Sequence, residues 1–262
     1  MLRVFAILSG GVFLAAWLGM GCSPEPSTSH PADNIDAYLD AVIQAHGGAV
    51  LDAATVSFTF REYEVQLQRD DGVFEYRRSF TDTDGQRVTE GITNNDVYRV
   101  VEGDTLSLDA EERSEIETAV NGIAYFALLP YPLQDPSVNA TYAGPNTVRG
   151  VAYHRVGVGF DAEAGTDYQD EFMYWFDADT HAMDYMAYAF GVGGPEEDQG
   201  TRFREAYRVH NVEGVRLADY YNYTVEDLPI DKLQAYPDYL ETDTLTLVST
   251  VDLEGLRITP LN

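Results

Sequence analysis

Alternation of apolar and polar residues runs through most of the chain and predicts a protein built mainly of β-strands. Val56, Phe58 and Phe60 alternate with polar residues, and a second alternating run begins at Tyr63 in shifted phase. A period of two is typical of strands with one buried face, and the phase change predicts a β-bulge between the runs. Turn residues separate further predicted strands, near residues 73–80, 86–91, 147–160, 168–177, 182–190, 201–212, 214–225 and 243–251, and a hairpin is predicted over about 96–108.

Three segments show helical spacing instead. The first begins after Asn34, whose side chain suits a helix N-cap, carries an apolar stripe over residues 35–43, and ends at residues 46–48. The second covers residues 111–129 and ends at a Pro-Tyr-Pro sequence, and a short helix is predicted around residues 229–236. Helices that do not alternate with the strands favour an α+β architecture over a series of βαβ units.

One predicted strand is apolar on both faces, with Phe172, Tyr174 and Phe176 on one face and Met173 and Trp175 on the other. A strand buried on both sides needs a layer over each face. The predicted fold class is therefore α+β and mainly β, with a curved antiparallel sheet wrapped around helices. A partly closed barrel with an apolar interior is the alternative.

The N-terminal residues predict an exported protein. Arg3 precedes a short apolar run, and the single cysteine, Cys22, follows small residues. A membrane span needs about 20 apolar residues, so a signal peptide over residues 1–21 explains this segment better than a transmembrane anchor. We expect lipidation of Cys22 and attachment to the outer membrane, with an ordinary secretory signal as the alternative. Residues 22–34 are then a flexible tether, and residues 35–262 a single domain.

The composition is strongly acidic. Asp and Glu number 44 against 16 Lys and Arg, for a formal net charge of −28, and Lys232 is the sole lysine. Such a surface repels itself unless salt screens it, which predicts a salt-adapted protein. A surface that binds cations or basic partners is the alternative. Nucleic acid is excluded as a partner because phosphate binding needs a basic patch.

Several segments carry a resemblance to exported proteins. A helix ending in Ala45-His46-Gly47-Gly48, followed by Val56-Ser57-Phe58, resembles the opening of LolA-like superfamily proteins. This resemblance implies an unclosed antiparallel half-barrel with helices on its concave side. A closer resemblance, to a family of uncharacterised exported proteins and lipoproteins, covers most of residues 35–258 and implies no activity. It rests on residues 119–121, 125–133, 172–175 and 202–207.

The apolar segment from Ile123 to Leu133 is a candidate wall of a ligand groove. An apolar lining with few polar groups is typical of ligand sites, and barrel mouths often hold them. A core helix followed by a proline-fixed exit explains the same pattern without a ligand. The candidate lining residues are Phe126, Leu128, Leu129, Tyr131, Phe172, Tyr174 and Trp175.

Arginines on one predicted strand are a candidate anion site. Arg202, Arg204 and Arg208 alternate with apolar residues, which predicts three guanidinium groups on one face, with Arg216 of the next strand as a further candidate. Arginine binds lipid phosphates and carboxylates in a bidentate manner. Pairing with acidic residues across strands is the alternative.

Catalytic patterns are weak in this chain. Asp177 and Asp179 follow an apolar strand, as in phosphotransferases with an aspartate nucleophile, but an immediate return strand favours a hairpin turn. The histidines lack the spacing of metal ligands. A hydrolase site at Asp179, His181 and Asp184 is one alternative, and we expect no enzyme, cofactor or metal.

The sequence therefore predicts a cell-envelope lipoprotein whose half-barrel binds a lipid or another amphiphile in an apolar groove. A non-catalytic scaffold with a self-filled core is the main alternative, and the hydrolase is the other. The sequence identifies neither a protein partner nor the ligand.

Overall fold

The computed structural model describes residues 30–161 and 169–261 and contains two seven-stranded sheets. The first sheet begins with β1 (Ala53–Phe60), β2 (Tyr63–Asp70), β3 (Val73–Thr81), β4 (Arg87–Thr93), β5 (Val97–Val101) and β6 (Asp104–Thr105). The second sheet consists of β7 (Val138–Val148), β8 (Val151–Phe160), β9 (Glu171–Asp177), β10 (Met183–Phe190), β11 (Gly200–Val212), β12 (Val215–Thr224) and β13 (Thr246–Val251). The last strand, β14 (Glu254–Pro260), returns to the first sheet beside β1.

Each sheet is a meander in which neighbouring strands are antiparallel. The first has the order β14-β1-β2-β3-β4-β5-β6 and the second the order β13-β12-β11-β10-β9-β8-β7. The consecutive strands β13 and β14 thus lie at the edges of different sheets, and we call the boundary between them the seam. The predicted fold class, mainly antiparallel β and unclosed, is confirmed, although the strands form two sheets instead of one.

Four α-helices accompany the sheets in the described part of the chain: α1 (Ile35–Ala45), α2 (Gly48–Leu51), α3 (Ala110–Leu128) and α4 (Tyr236–Glu241). The predicted first helix is confirmed, because the Asn34 side chain accepts a hydrogen bond of 3.0 Å from the Ala37 N–H. The second is confirmed as α3. It starts with a capping box in which Asp109 and Glu112 each bond the other's backbone N–H.

Helices α1 and α3 connect the hydrophobic cores of the two sheets. Helix α3 buries one stripe, from Ile116 to Leu128, in the core of the first sheet, while its Phe126 packs against the core of the second. Helix α1 places Val42 in the second core and Ile43 in the first. The two helices therefore hold the two sheets together.

The strand predicted to be apolar on both faces is covered on both. Tyr174 and Phe176 belong to the core beneath α1, whereas Trp175 belongs to a separate core that contains Phe203 of β11 and Tyr236 of α4. Neighbouring residues of a strand point to opposite faces. The second sheet is thus the middle layer of three.

Two local predictions were wrong. The phase change before Tyr63 is a two-residue turn rather than a bulge, made possible by Arg61 in the left-handed region at φ 56°. The segment predicted as one strand over residues 147–160 contains the end of β7, a turn at residues 149–150 and the whole of β8. Strands β7 and β8 therefore form a hairpin. Strand β7 was not predicted because Gly144 and Pro145 are unusual within strands. They are tolerated here because β7 is an edge strand and its register with β8 shifts at this point.

The predicted signal peptide, Cys22 and residues 22–29 of the tether lie outside the described residues. The rest of the tether, residues 30–34, forms a turn that leads into α1, and its Pro31 is buried. None of the helices among the described residues has the length and apolar character needed to cross a membrane.

Candidate functional site

An apolar cavity of about 260 Å³ lies at the seam, under α3. We call it the seam cavity. Side chains from both sheets contribute to its wall, because β1 lies on one side of the seam and β11, β12 and the end of β13 lie on the other. The residues that define it best are Phe58, Phe60, Ile123, Phe126, Tyr220 and Leu253.

Helix α3 forms the cavity roof with a second stripe, next to the stripe it buries in the core. Gly122, Ile123 and Phe126 follow Ala119 by three, four and seven residues, so that all four share one helix face. A Cβ atom built on Gly122 meets no atom within 4 Å. Small residues on this face therefore leave the space that the cavity occupies.

Arg204 of β11 is the charged residue of the cavity wall. Its side chain is buried, and its guanidinium carbon lies 4.0 Å from the centre of the Phe126 ring and 5.5 Å from that of Tyr188. Its Nε–H has no hydrogen-bond partner, and no carboxylate in residues 30–161 or 169–261 forms an ion pair with it. The cavity therefore contains one buried cation without an anionic partner.

Tyrosine hydroxyls next to the cavity are neutral. Burial raises the pKa of Tyr220 to about 12, despite the opposing effect of the nearby Arg216 and Arg204. The hydroxyls of Tyr125 and Tyr174 bond each other at 2.7 Å, and burial raises the pKa of both. Arg204 thus has no phenolate as its counter-charge.

The structure brings only part of the predicted groove lining to this place. Phe126 lines the cavity, and its ring centre lies 6.3 Å from that of Phe172 in an aromatic cluster that continues to Tyr174. Leu129 is buried in the same core. Phe58, Phe60 and Leu253 were missed, although the inward alternation of Phe58 and Phe60 was visible in the sequence.

The remaining predicted lining residues lie elsewhere. Leu128 and Tyr131 are buried in the core of the first sheet, where the Tyr131 hydroxyl donates a hydrogen bond of 2.7 Å to Asp52. Trp175 faces away from the cavity, and its indole N–H donates to Asn146 at 2.8 Å. Strand alternation separates Trp175 from Tyr174, so one groove cannot include both.

The prediction of three guanidinium groups on one face was wrong, because β11 has a bulge. The register with β12 shifts between Ala206 and Arg208, and this moves Arg208 off the face that holds Arg204. Arg208 pairs with Asp219 and, at 3.5 Å, with Asp252.

The other two arginines have partners outside the cavity. Arg202 stacks over Phe190 at 4.9 Å and donates to the carbonyl of Thr201. Arg216 pairs with Asp184 at 2.8 Å. Among the described residues, Arg204 is thus the one of these four arginines without a carboxylate or carbonyl partner.

Among the described residues, no hydrogen bond links the side chains of the hydrolase candidates Asp179, His181 and Asp184. Asp184 accepts hydrogen bonds from Tyr153, at 3.0 Å, and from Arg216, while Asp179 is exposed in the β9–β10 turn. The predicted hairpin turn at Asp177 is confirmed, since its carboxylate accepts bonds from the backbone of residues 179 and 180. No group of three or more metal-binding side chains in the described ranges could hold an ion.

Three histidines that are distant in sequence meet near Tyr38 of α1. The ring centre of His154 lies 5.1 Å from that of His30 and 5.5 Å from that of Tyr38, and His181 lies 5.3 Å from Tyr38. Burial, and then the neighbouring histidines, lower the pKa of His154. No sequence spacing could have indicated this cluster.

A larger depression of about 410 Å³ lies at the turns of the first sheet. Its wall includes the polar residues Asp70, Glu75 and Asn94. Asn94 holds the turns together, because its side chain accepts from the Phe74 N–H and donates to the Gly72 carbonyl. The turns themselves create this depression, and its lining residues include no buried cation comparable to Arg204.

The chain belongs to a family of unknown function, DUF6503, whose model matches residues 32–253. No curated protein matches the chain.

Among solved structures, the chain is similar to a LolA superfamily protein from Nitrosomonas europaea, with a TM-score of 0.43 and 8% identity over 72% of this chain and 86% of that one. It is also similar to a putative outer membrane lipoprotein-sorting protein domain from Vibrio parahaemolyticus, with a TM-score of 0.41 and 7% identity over 79% of this chain and 97% of that one. A third similar structure is the Mycobacterium tuberculosis lipoprotein LppX, with a TM-score of 0.28 and 14% identity over 74% of this chain and 98% of that one.

Proposed function

We propose that this protein is a non-enzymatic component of the cell envelope that binds one apolar chain of a lipid or another amphiphile in the seam cavity. The observation that supports the proposal is the cavity itself, with an apolar wall from both sheets and a roof from α3. Ligand sites are typically concave, mostly apolar and equipped with few polar groups. The signal-like residues 1–21 and Cys22 support a location in the envelope.

The cavity volume supports a single chain as the occupant. A cavity of about 150 Å³ accommodates benzene, and drug-sized ligands use about 300–1,000 Å³. At about 260 Å³, the seam cavity lies between these sizes. Burial of each methylene contributes about 0.8 kcal/mol, so a chain of moderate length overcomes the several kcal/mol that association costs.

A scaffold with a self-filled core is the second candidate function. The observation that favours it is the complete burial of Leu128, Tyr131 and Trp175 in packed cores, away from the cavity. In that case the space at the seam is a packing defect without a ligand. The two functions differ in whether the cavity binds an apolar molecule.

Filling the cavity distinguishes these functions. In the Gly122→Leu variant a side chain enters the cavity, and we expect at least tenfold weaker binding of the fluorescent neutral probe N-phenylnaphthylamine. Because glycine in a helix interior costs about 1 kcal/mol relative to alanine, the variant should remain folded. Fluorescence titration measures the affinity, and thermal unfolding measures the stability.

Two variants serve as matched controls. Gly122→Ala adds only a Cβ atom in open space, so it should retain the probe. Asn121→Leu adds the same side chain at the neighbouring, exposed position and should also retain it. Equal probe binding by the Gly122→Leu variant and the wild type, or no binding by the wild type, contradicts the proposal and favours the scaffold.

A further inference from the structure

Arg204 is the one buried arginine among the described residues, whereas several half-buried arginines pair with carboxylates. Arg78 and Arg99 both pair with Glu90, and Arg216 pairs with Asp184. Acidic residues outnumber basic ones by 44 to 16, so carboxylates are abundant partners. Arg204 nevertheless lies 7% exposed without one of them among the described residues.

A second polar group beside Arg204 is also unsatisfied. Asn222 of β12 lies directly opposite Arg204 in the strand register. Its side-chain N–H donates to Ser249 at 3.2 Å, but its buried Oδ1 atom has no partner, and neither does Nε of Arg204. Buried polar groups in proteins are nearly always hydrogen-bonded, so the Nε–H of Arg204 calls for an acceptor, which an anionic group supplies; the Asn222 Oδ1 atom is itself an acceptor and does not bind such a group.

Stacking on aromatic rings explains where the Arg204 guanidinium group lies, but it provides no hydrogen-bond acceptor for the N–H groups. The ring of Phe126 holds one face of the group at 4.0 Å, and the ring of Tyr188 lies 5.5 Å away. Cation–π contacts occupy the faces of a guanidinium plane and leave its N–H edges free. Those edges suit the paired oxygens of a carboxylate or a phosphate.

We propose that the seam cavity selects an anionic single-chain amphiphile, whose carboxylate or phosphate head binds Arg204 while its chain lies between Phe58, Phe60 and Ile123. This inference rests on the proposed function and adds the charge of the ligand. The head group supplies the counter-charge that residues 30–161 and 169–261 do not provide, and Phe126 contacts both parts of the ligand. Charge-assisted hydrogen bonds are stronger than neutral ones.

The test compares ligands that share one chain and differ in the head. Decanoate, decyl phosphate and decanol displace N-phenylnaphthylamine from the wild-type protein at neutral pH and below their micellar concentrations. We expect the two anions to bind at least tenfold more tightly than decanol, which corresponds to about 1.4 kcal/mol. A preference for only one of the two anions identifies the head group within the proposed class.

Variants of the strand pair locate the selectivity. Arg204→Gln should remove the preference for anions, so that decanoate and decyl phosphate bind no more tightly than decanol. Arg202→Gln removes the same charge from the same strand outside the cavity and should keep the preference. Asn222→Asp places a carboxylate opposite Arg204 with almost no change in shape, so it should compete with the ligand head and also abolish the preference, even if Arg204→Gln does not fold.

Three results overturn the inference. The first is equal affinity of the wild type for decanoate, decyl phosphate and decanol, which leaves the proposed function intact. The second is an anion preference that survives both Arg204→Gln and Asn222→Asp. The third is stabilisation by inorganic phosphate as strong as by decyl phosphate, which indicates a site for a free anion. Failure of all three amphiphiles to displace the probe contradicts the proposed function itself.

Discussion

Lowering the pH from 7 to 5 is expected to reduce the free energy of unfolding by about 2 kcal/mol through His46 alone. Burial lowers the pKa of His46 to about 4 in the folded protein, from an ordinary value of 6.5. The unfolded chain therefore binds the proton between these two pH values while the folded chain does not. The stability that neutral His46 contributes is complete above pH 6.5 and is lost as the pH falls toward 4.

The contacts of His46 explain why it stays neutral. Its Nδ1–H donates to the carbonyl of Val42 at 2.8 Å, and its Nε2 accepts from the N–H of Met183 at 3.1 Å. A second proton on Nε2 breaks the bond to Met183 and places a charge near Arg216, whose Nη1 lies 3.5 Å away. His46 thus joins the end of α1 to β10 only in its neutral form.

Urea unfolding at pH 7 and pH 5, for the wild type and for His46→Gln, measures this contribution. The variant lacks the titrating imidazole and should lose about 2 kcal/mol less than the wild type over this interval. Carboxylates titrate in both proteins and cancel in the comparison. If the two proteins lose stability in parallel, a group other than His46 controls the acid sensitivity.

Replacement of Asp219 by alanine is expected to lower the free energy of unfolding by about 2–3 kcal/mol, because it removes hydrogen bonds to a charged group and leaves a buried N–H donor without an acceptor. The Asp219 side chain is fully buried in β12. It accepts hydrogen bonds from Nε of Arg208, from Nε2 of His210 at 3.0 Å and from the N–H of Leu253 at 2.8 Å. Because Leu253 lies between β13 and β14, this carboxylate fastens the seam to the second sheet.

Asp252 provides the matched control for this prediction. It also pairs with Arg208, but its side chain is 28% exposed and the pair is 3.5 Å long. Asp252→Ala should therefore cost about 1 kcal/mol or less. Thermal unfolding of both variants measures the difference. Equal losses of stability show that the bond to Leu253 does not hold the seam.

Most of the fold could be predicted from the sequence because local signals agree with it. The cap at Asn34, the capping box at Asp109 and the alternation around Phe58 all lie where the structure uses them. The turn at Arg61 escaped prediction because a non-glycine residue adopts positive φ there. The division of the strands into two sheets was also not predicted, because no local sequence pattern indicates that β14 pairs with β1 instead of β13.

The candidate site was predictable only in pieces. Phe126 and Arg204 were both selected from the sequence, but for two different sites, because strand register and the bulge before Arg208 decide which side chains meet. Trp175 was grouped with Tyr174 by its size and character, although the faces of one strand are covered by different layers. The sequence shows which side chains are present, but it does not show which of them are neighbours in the folded protein.

The pairing of β1 with β14 constrains the order in which the chain can fold. About 200 residues separate the partners Val56 and Ile258. Until residues 254–260 emerge from the ribosome or the export channel, the β1 edge presents unpaired backbone groups that can recruit another chain. The N-terminal half can complete its own sheet only after the C-terminal half has been made. The β1 edge is therefore the part of the first sheet that is covered last during folding.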